Sequence, residues 1–322
     1  MTQSASSKPP AVFIMGPTAS GKSNLAVQLA QELNAEIISV DSALVYRGMN
    51  IGTAKPTLNE QGGIIHHLLD ILDPIEAFST GQFRTLALNL MNDITARGKL
   101  PMLVGGTMLY FNALNHGLAI LPAADTALRL QLNADFDHLG KTAMHQRLAI
   151  IDPVSAARIH PNDPQRVQRA LEVYILTGRS LTNFIQQTEV VEFPFQRIKF
   201  VIAPEDRKIL HDTIAQRFRD MLAQGLIEEV RTLFQRGDLH ENLPSMRAVG
   251  YRQIWHYLKG DDDYIGMTEK AIAATRQLAK RQFTWLRKEI DAHHLITAQA
   301  TLMTTALQIV KTELKQQNYA SF

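Results

Sequence analysis

The chain has 322 residues, of which 45% are hydrophobic and 20% are charged, and its formal net charge is only +2. These proportions are those of a globular protein with one or two domains, and the total charge does not indicate a nucleic-acid partner. The absence of cysteine excludes disulfides, thiolate zinc sites and a cysteine nucleophile, and no stretch approaches the roughly 18 consecutive apolar residues that a membrane helix needs.

The chain begins with polar residues, and 1–10 are predicted to form a disordered tail. Ala11–Met15 follows as a short, fully apolar run, which is typical of a buried parallel strand. This run is far too short for the hydrophobic core of a signal peptide. We therefore expect a cytoplasmic protein with no membrane partner.

Strands and helices alternate along the first part of the chain and again near residue 200. The patterns predict helices over 24–33 and around 82–96, and strands over 37–40, 100–104 and 199–203. Such alternation indicates a parallel sheet with helices on both faces. The predicted fold class is therefore α/β, with a phosphate-loop parallel sheet flanked by helices.

The segment 121–190 interrupts this alternation, because it has few β-branched runs and its pattern is helical, for example over 124–133 and 165–177. We interpret it as a helical insertion domain. The core would then comprise 11–120 and 191–322, and nearly everything from Lys208 onward is predicted to be helical. No feature of the sequence demands an oligomer, and we expect a monomer.

The loop after the first strand matches the pattern G-x-x-x-x-G-K-[ST] at every fixed position. Its residues are Gly16, Pro17, Thr18, Ala19, Ser20, Gly21, Lys22 and Ser23. The glycines let backbone N–H groups turn inward around a diphosphate, and the N-terminus of the next helix adds partial positive charge. Lys22 supplies a full charge to the phosphate oxygens, and Ser23 offers its hydroxyl to Mg²⁺. The motif predicts a polyphosphate ligand, of which a nucleotide such as ATP is the commonest.

Two polar residues follow predicted strands, where ligands of open α/β sheets bind. Asp41 ends the second strand and can act as a general base or as a water-mediated Mg²⁺ ligand. Alternatively, it can form a helix or turn cap with Ser42. Thr107 follows a later strand and can donate a hydrogen bond to a phosphate oxygen, or merely cap the helix that starts near Met108.

The helix predicted over 268–290 has one basic and one apolar face. At about 100° per residue, one stripe holds Arg276, Lys280 and Arg287, and its neighbour holds Lys270, Arg281 and Lys288. The opposite half holds Ile272, Leu278, Ala279, Phe283, Trp285, Leu286 and Ile290. A solvated face usually mixes both signs, so an almost purely basic face favours contact with RNA phosphates.

Shorter patterns leave alternatives open. Arg166 and Arg169 lie three residues apart on one helical face, and Arg247 and Arg252 flank Tyr251, which can stack on a base. The arginines fit surface salt bridges equally well, and the tyrosine fits a core position.

Six blocks of residues run in order across nearly the whole chain and carry a resemblance to a known family. The blocks are GPTASGKS from Gly16, DSALVYRGMNIGTAKP from Asp41, LVGGTMLY from Leu103, HPNDPQRVQRALEV from His160, MRAVGYRQIW from Met246 and ATRQLAKRQFTWLR from Ala274. They resemble the tRNA dimethylallyltransferases (tRNA isopentenyltransferases), particularly the bacterial ones. The block from Asp41 is highly specific. Eukaryotic members add a C-terminal zinc finger, for which this sequence has no cysteine.

The resemblance implies that the phosphate loop holds dimethylallyl diphosphate, that no nucleotide is hydrolysed, and that the acceptor is the adenine on the 3′ side of the tRNA anticodon. It implies that Asp41 is the general base toward the adenine N6 amine and that Thr107 and Arg217 contact the diphosphate. It assigns tRNA contacts to Asp41, Ser42, Ala43, Leu44, Thr107, Arg129, Gln165, Arg166, Val167, Gln168, Arg169, Arg247, Ala248, Val249, Gly250, Tyr251 and Arg252. The basic helix adds Arg276 and Lys280 to these predicted contacts with the anticodon stem-loop.

Three alternative functions are weighed against this one. A prenyltransferase for free adenine nucleotides would keep the phosphate loop and Asp41 without needing the insertion or the basic helix. A phosphate-loop kinase would need a pocket for the ATP base and a lid carrying arginines. A non-catalytic RNA-binding module would need neither Lys22 nor Ser23 in a fitting loop.

Overall fold

The computed structural model describes residues 8–187, 192–316 and 319. The chain divides into two units, one comprising Met1–Asn115 and Phe193–Phe322 and the other His116–Glu192. The predicted insertion, 121–190, falls within the second unit, although its residues 188–190 lie outside the described residues.

The first unit is built on a parallel sheet. Its strands are β1 (Pro10–Met15), β2 (Ala35–Val40), β3 (His66–His67), β4 (Leu100–Gly105), β5 (Gln196–Ala203) and β6 (His293–Ile296). They lie in the order β3-β2-β4-β1-β5-β6, and every neighbouring pair is parallel. The predicted α/β fold class is confirmed.

Helices cover both faces of the sheet and continue beyond it. The described helices are α1 (Lys22–Glu32), α2 (Thr80–Ala96), α3 (Met108–His116), α4 (Thr126–Ile151), α5 (Pro153–Arg158), α6 (Pro164–Thr177), α7 (Leu181–Gln186), α8 (Arg207–Ala223), α9 (Leu226–Phe234), α10 (Tyr251–Lys259), α11 (Tyr264–Leu286) and α12 (Leu302–Gln316). All residues of β1, β2 and β4 are buried. Their apolar runs are therefore those of central strands covered on both sides.

Each face of the sheet packs against a different set of helices. On one face, Leu29 of α1 and Val310 of α12 pack against Ile14 of β1. On the other, Met91 of α2 and Phe111 of α3 join the same core cluster as Leu103 of β4. Because β1, β2 and β4 are parallel, the loops that follow them leave the sheet at the same edge, where ligands of open α/β sheets bind.

A separate cluster fixes the loop that follows β2. Val45, Tyr46 and Met49 from this loop share a core cluster with Met246, which lies between α9 and α10, and with residues of α8 to α11 such as Tyr251. The long sequence block that begins at Asp41 is therefore anchored by the C-terminal helices rather than by the sheet alone.

Several predicted boundaries require correction. The strand begins at Pro10, and the Pro9 carbonyl accepts the Gln196 N–H at 2.8 Å, so residues 8–10 are not part of a disordered tail. Residues 1–7 lie outside the described residues. The C-terminal part is not wholly helical, because β6 pairs with β5. Its four residues, two of them histidines, are too few to show a strand pattern.

Helix α11 is displaced from its prediction by about one turn. It begins at Tyr264 and has its C-cap at Arg287. Ile290 therefore lies beyond the helix and is 90% exposed, so its assignment to the apolar face was wrong. The buried side of α11 instead contains a polar residue, Gln282.

The second unit is helical, and α4, α5 and α6 enclose its small core. Gly140 interrupts α4 with φ 80° and ψ 163°, a conformation that glycine adopts at low cost. Asp163 caps the start of α6 and Gly178, with φ 69°, ends it. Across the described ranges of both units, no helix combines the length and apolarity that crossing a bilayer requires.

Candidate active site

The phosphate loop joins β1 to α1, as its motif requires. Gly21 has φ 78°, a conformation that favours glycine, and α1 begins at the next residue. Gly21 also offers no side-chain cap, so the first N–H groups of α1 remain open to an anion. At Gly16, a Cβ atom would lie 2.4 Å from the carbonyl oxygen of Ile202 in β5. Local backbone geometry therefore requires both fixed glycines.

Two cations and a carboxylate influence one another beside this loop. Burial lowers the pKa of Lys22 to about 8, while Asp41 raises it and Arg217 lowers it. Burial also lowers the pKa of Arg217, against the raising effects of Asp41 and Glu60. The Lys22 amino group donates to the Pro17 carbonyl at 3.0 Å. Partly desolvated cations of this kind favour the binding of an anion.

Asp41 follows the last residue of β2, as predicted, and the two oxygens of its carboxylate differ in their hydrogen bonds. Oδ1 accepts the N–H groups of Ala43 at 2.8 Å and Leu44 at 3.4 Å. The predicted turn-capping role is therefore present. Oδ2 makes no hydrogen bond with the residues that the structure describes, and it is available to accept a proton. Capping and base catalysis are thus compatible, with the cap orienting the carboxylate.

Thr107 connects two strand ends. Its N–H donates to the carbonyl of Val40 at 3.2 Å, and its Oγ1 accepts the Ser42 N–H at the same distance. Because Oγ1 acts as an acceptor here, its own proton remains free to be donated to a phosphate oxygen. At Gly105, the last residue of β4, a Cβ atom would lie 2.0 Å from the Val40 carbonyl oxygen, so the close approach of β4 to β2 depends on that glycine.

Two serines of the phosphate loop fit a diphosphate with a divalent metal. Ser20 is 1% exposed, and its hydroxyl lacks a hydrogen-bond partner among the described residues. Ser23, at the start of α1, is exposed and its hydroxyl is likewise unengaged within the described part of the chain. No cluster of three or more metal-ligating side chains occurs among the described residues. A metal held mainly by diphosphate oxygens and waters needs only one or two protein oxygens, and the Ser23 hydroxyl is one that the loop offers.

A groove between α8 and α11 concentrates positive charge. It has a volume of about 430 Å³ and is lined by residues that include Arg207, His211, Arg276, Lys280 and Arg287. None of the lining residues that the structure describes is acidic. The basic stripe predicted from Arg276, Lys280 and Arg287 is therefore extended by residues of a second helix. The Arg276 side chain of α11 is hydrogen-bonded to α8 across the groove, because its Nη2 donates to the His211 carbonyl at 3.3 Å.

Tyr251 is not available to stack on a base, which corrects that interpretation. It is fully buried, and its hydroxyl donates to Glu229. Glu229 also accepts the backbone N–H groups of Asn50, Ile51 and Gly52. The pair thus anchors the loop that follows β2. Burial, followed by the Glu229 charge, raises the pKa of Tyr251.

The predicted RNA contacts around Tyr251 differ in their exposure. Arg247 and Arg252 are exposed, Ala248 and Val249 are half-buried, and Gly250 is buried at the N-cap of α10. The two arginines therefore remain predicted contacts, whereas Gly250 has a structural reason for its identity, because its φ is 92°.

In the helical unit, two predicted RNA-binding arginines surround a buried carboxylate. Glu172 is completely buried and accepts hydrogen bonds from Arg129 at 2.8 and 3.0 Å and from Arg169. Burial alone would raise the pKa of Glu172, but these arginines hold it below its ordinary value. Both arginines therefore stabilise this unit whether or not they also contact RNA.

The other predicted contacts of this unit lie on α6. Arg166 is exposed and pairs with Asp163 at 3.4 Å, and Gln168 donates to Asn133 at 2.6 Å. Gln165 is exposed at the start of the helix. The side chain of Val167 cannot contact RNA as predicted, because it is completely buried in the core.

The sequence did not predict two residues, distant along the chain, whose side chains form hydrogen bonds with the backbone of the phosphate loop. The Gln282 side chain accepts the Thr18 N–H at 2.9 Å, and the Thr297 hydroxyl donates to the Ser20 carbonyl at 2.8 Å. Gln282 lies inside the quoted block from Ala274. A polar residue among the apolar positions of that helix was the available signal. Thr297 follows the strand that was not predicted.

Fold and site together define a phosphate-loop α/β protein with a diphosphate-type site beside a strand-terminal carboxylate and a basic groove. Family comparisons agree with this class. A family model described as IPP transferase matches residues 44–289, and one described as isopentenyl transferase matches residues 10–71. The chain belongs to the tRNA dimethylallyltransferase (tRNA isopentenyltransferase) family, and that predicted resemblance is confirmed.

Individual relatives match nearly the whole chain. A tRNA dimethylallyltransferase from Methylococcus capsulatus is 57% identical over 311 residues, which cover 97% of this chain and 100% of the relative. The crystal structure of a full-length tRNA isopentenylpyrophosphate transferase from Bacillus halodurans is 37% identical, with a TM-score of 0.72 and coverage of 97% and 98%. A eukaryotic dimethylallyltransferase acting on tRNA is 27% identical, with a TM-score of 0.80 and coverage of 96% and 80%.

Proposed function

We propose that this chain transfers the dimethylallyl group of dimethylallyl diphosphate to the N6 amine of a tRNA adenine and releases diphosphate. The observation that carries the proposal is the juxtaposition of the phosphate loop, with its desolvated Lys22, and the strand-terminal Asp41. The family implies the adenine on the 3′ side of the anticodon as the acceptor. A phosphate-loop kinase would also need a pocket for the ATP base and a lid carrying arginines, and the family models that match this chain describe transferases of an isopentenyl group.

The chemistry needs positioning and charge stabilisation more than a strong nucleophile. The N6 amine is conjugated with the purine and is weakly nucleophilic, whereas an allylic carbon tolerates positive charge as its C–O bond breaks. As the N6–C1 bond forms, the electrons of the C1–O bond leave with the diphosphate. We assign the stabilisation of that departing charge to Lys22, Arg217 and the open N–H groups of α1.

The proton that N6 loses requires an acceptor. We assign this role to Asp41, through Oδ2, with Oδ1 held by the backbone of Ala43 and Leu44. We assign to the Thr107 hydroxyl a hydrogen bond that it donates to a diphosphate oxygen. The Ser23 hydroxyl would help to hold Mg²⁺ on the diphosphate, and the ion would supply positive charge against the diphosphate oxygens.

The acceptor RNA needs a basic surface and an extruded base. The target adenine must leave its stack to reach a buried alkyl donor, as other base-modifying enzymes require. We place the RNA phosphates on Arg276 and Lys280 of the groove between α8 and α11. Arg247 and Arg252 are exposed and are proposed as further contacts.

A labelled-donor assay tests this function. The protein is incubated with radiolabelled dimethylallyl diphosphate, Mg²⁺ and either bulk tRNA, AMP or ATP. Label should appear in tRNA only and should map to N6-substituted adenine after digestion. Label in AMP would instead assign a prenyltransferase of free nucleotides, and ATP consumption without label transfer would assign a kinase. Lys22→Met is the control, because it removes the loop cation and should abolish incorporation.

A further inference from the structure

Gln282 occupies an unusual place for a polar side chain. It lies on the inner side of α11, is 9% exposed, and belongs to a face otherwise formed by residues such as Ala279 and Leu286. Burying a primary amide costs free energy unless each of its groups is hydrogen-bonded. The partners of this amide are therefore informative about why it is there.

Both ends of the amide contact loops of the active site. Its Oε1 accepts the Thr18 N–H of the phosphate loop at 2.9 Å, and its Nε2 donates to the Gly106 carbonyl at 2.9 Å. An N–H on one side and a carbonyl on the other determine the orientation of the amide. No charged or hydrophobic residue can make both contacts.

The second contact continues to the proposed base. Gly106 precedes Thr107, whose N–H and hydroxyl are bound to Val40 and Ser42. Asp41 lies between these two residues in sequence. A continuous path of hydrogen bonds and peptide links therefore joins the phosphate loop, through Gln282, to the carboxylate.

Gly106, the residue before Thr107, has no side chain that would occupy the space of the Gln282 amide. A Cβ atom at position 106 would lie 2.3 Å from Nε2 of Gln282 and 3.1 Å from the carbonyl oxygen of Gly16. The φ angle of Gly106 is not in the left-handed region, so the requirement for glycine is one of space and not of backbone conformation. Gly106 thus leaves room for Gln282.

We propose that Gln282 is a positioning residue, which sets the separation between the diphosphate held by the phosphate loop and the Asp41 carboxylate. This proposal rests on the proposed function. Gln282 itself contacts neither the reacting carbon nor the departing proton. It acts through Thr18 on one side and through Gly106 and Thr107 on the other.

The test uses Gln282→Met in the full-length protein, because methionine has a similar length but neither donates nor accepts strongly. Gln308→Met is the matched control, since Gln308 is exposed on α12 and bonds only to Thr312 of its own helix among the described residues. Isothermal titration with inorganic diphosphate and Mg²⁺ measures both the dissociation constant and the stoichiometry. Steady-state prenyl transfer measures kcat and the KM for tRNA.

We expect Gln282→Met to weaken diphosphate binding about tenfold at unchanged stoichiometry, and to lower kcat by about ten- to a hundredfold with the KM for tRNA unchanged. A merely structural role would give the opposite pattern, with reduced stoichiometry and a normal dissociation constant. That pattern, or a variant equal to wild type and to Gln308→Met, would overturn the proposal. Wild-type protein that does not bind diphosphate would refute the proposed function, and the inference with it.

A second variant covers the case in which Gln282→Met does not fold. Gly106→Ala keeps Gln282, but the added methyl group would displace the Gln282 amide from its position beside residue 106. It should reproduce the loss of diphosphate affinity and of kcat. A Gly106→Ala protein that is folded and fully active would contradict the proposal.

Discussion

The phosphate-loop end of the sheet and the helical unit His116–Glu192 differ in whether their buried ionisable side chains are neutralised by ion pairs. In the helical unit, Glu172 is neutralised by Arg129 and Arg169, and its own charge is thereby stabilised. At the sheet end, burial lowers the pKa values of Lys22 and Arg217, and the buried Ser20 hydroxyl has no hydrogen-bond partner among the described residues. One region neutralises its buried charge internally, whereas Lys22 and Arg217 form no ion pair among the described residues, and the proposed diphosphate would supply the missing negative charge. This difference separates charges that stabilise the fold from charges that perform a function.

The largest expected effect comes from Asp41. Asp41→Ala removes the only proton acceptor proposed for N6 and should lower the single-turnover rate by about 10²–10⁴-fold, the usual size of a general-base contribution. Affinity for tRNA, measured by filter binding, should remain within about twofold, since its arginine contacts are intact. Asp93→Ala, at an exposed position of α2, is the control. An unchanged rate for Asp41→Ala would remove Asp41 from the base role.

Glu172 tests the other side of the comparison. Glu172→Gln removes the charge that Arg129 and Arg169 share, and should reduce the free energy of unfolding by about 1.5–3 kcal/mol. Urea denaturation followed by circular dichroism measures this change. The dissociation constant for inorganic diphosphate should stay as in wild type. If stability were unaffected while diphosphate binding fell, the assignment of structural and functional charges to these two regions would be reversed.

The basic groove should give an effect of intermediate size. Replacing Arg276 and Lys280 together by alanine should weaken tRNA binding about tenfold at low salt, and should reduce the slope of log K against log salt by about 1–2. The matched control replaces Lys311 and Lys315, which are exposed on α12. An unaltered salt slope would show that the groove does not bind RNA phosphates.

The smallest expected effect is a pH dependence of diphosphate binding. Because burial lowers the pKa of Lys22 to about 8, its positive charge is present below that pH and is lost above it. Affinity for inorganic diphosphate should therefore decrease severalfold as the pH rises from 7 to 9. Lys22→Arg stays charged throughout this range and should show only the titration of the diphosphate itself. Parallel profiles for the two proteins would refute the role of Lys22.

The sequence predicted those parts of the site that depend on local pattern. The phosphate loop was recognised because its glycines are required by backbone geometry and Lys22 by the charge of a phosphate ligand, all within eight consecutive residues. Asp41 and Thr107 were found because parallel strands bring their carboxyl ends to one edge of the sheet. Arg217 came only from the family resemblance, since nothing in its own helix distinguishes it.

Long-range contacts and marginal elements account for what was missed. Gln282 contacts Thr18 across 264 positions of sequence, which no local pattern reveals. Tyr251 has arginines on both sides and a glycine before it, a composition that suits an exposed loop, yet Glu229 satisfies its hydroxyl in the core. The strand β6 is too short and polar to stand out, and only its pairing with β5 defines it.

The most direct test of the central claim is a crystal structure of the protein with an unreactive thio-analogue of dimethylallyl diphosphate, Mg²⁺ and an anticodon stem-loop RNA. The diphosphate should lie in the loop Gly16–Ser23 against Lys22, and an extruded adenine should place N6 within hydrogen-bond distance of Asp41. A diphosphate bound elsewhere, or an adenine N6 that faces a residue other than Asp41, would contradict the claim.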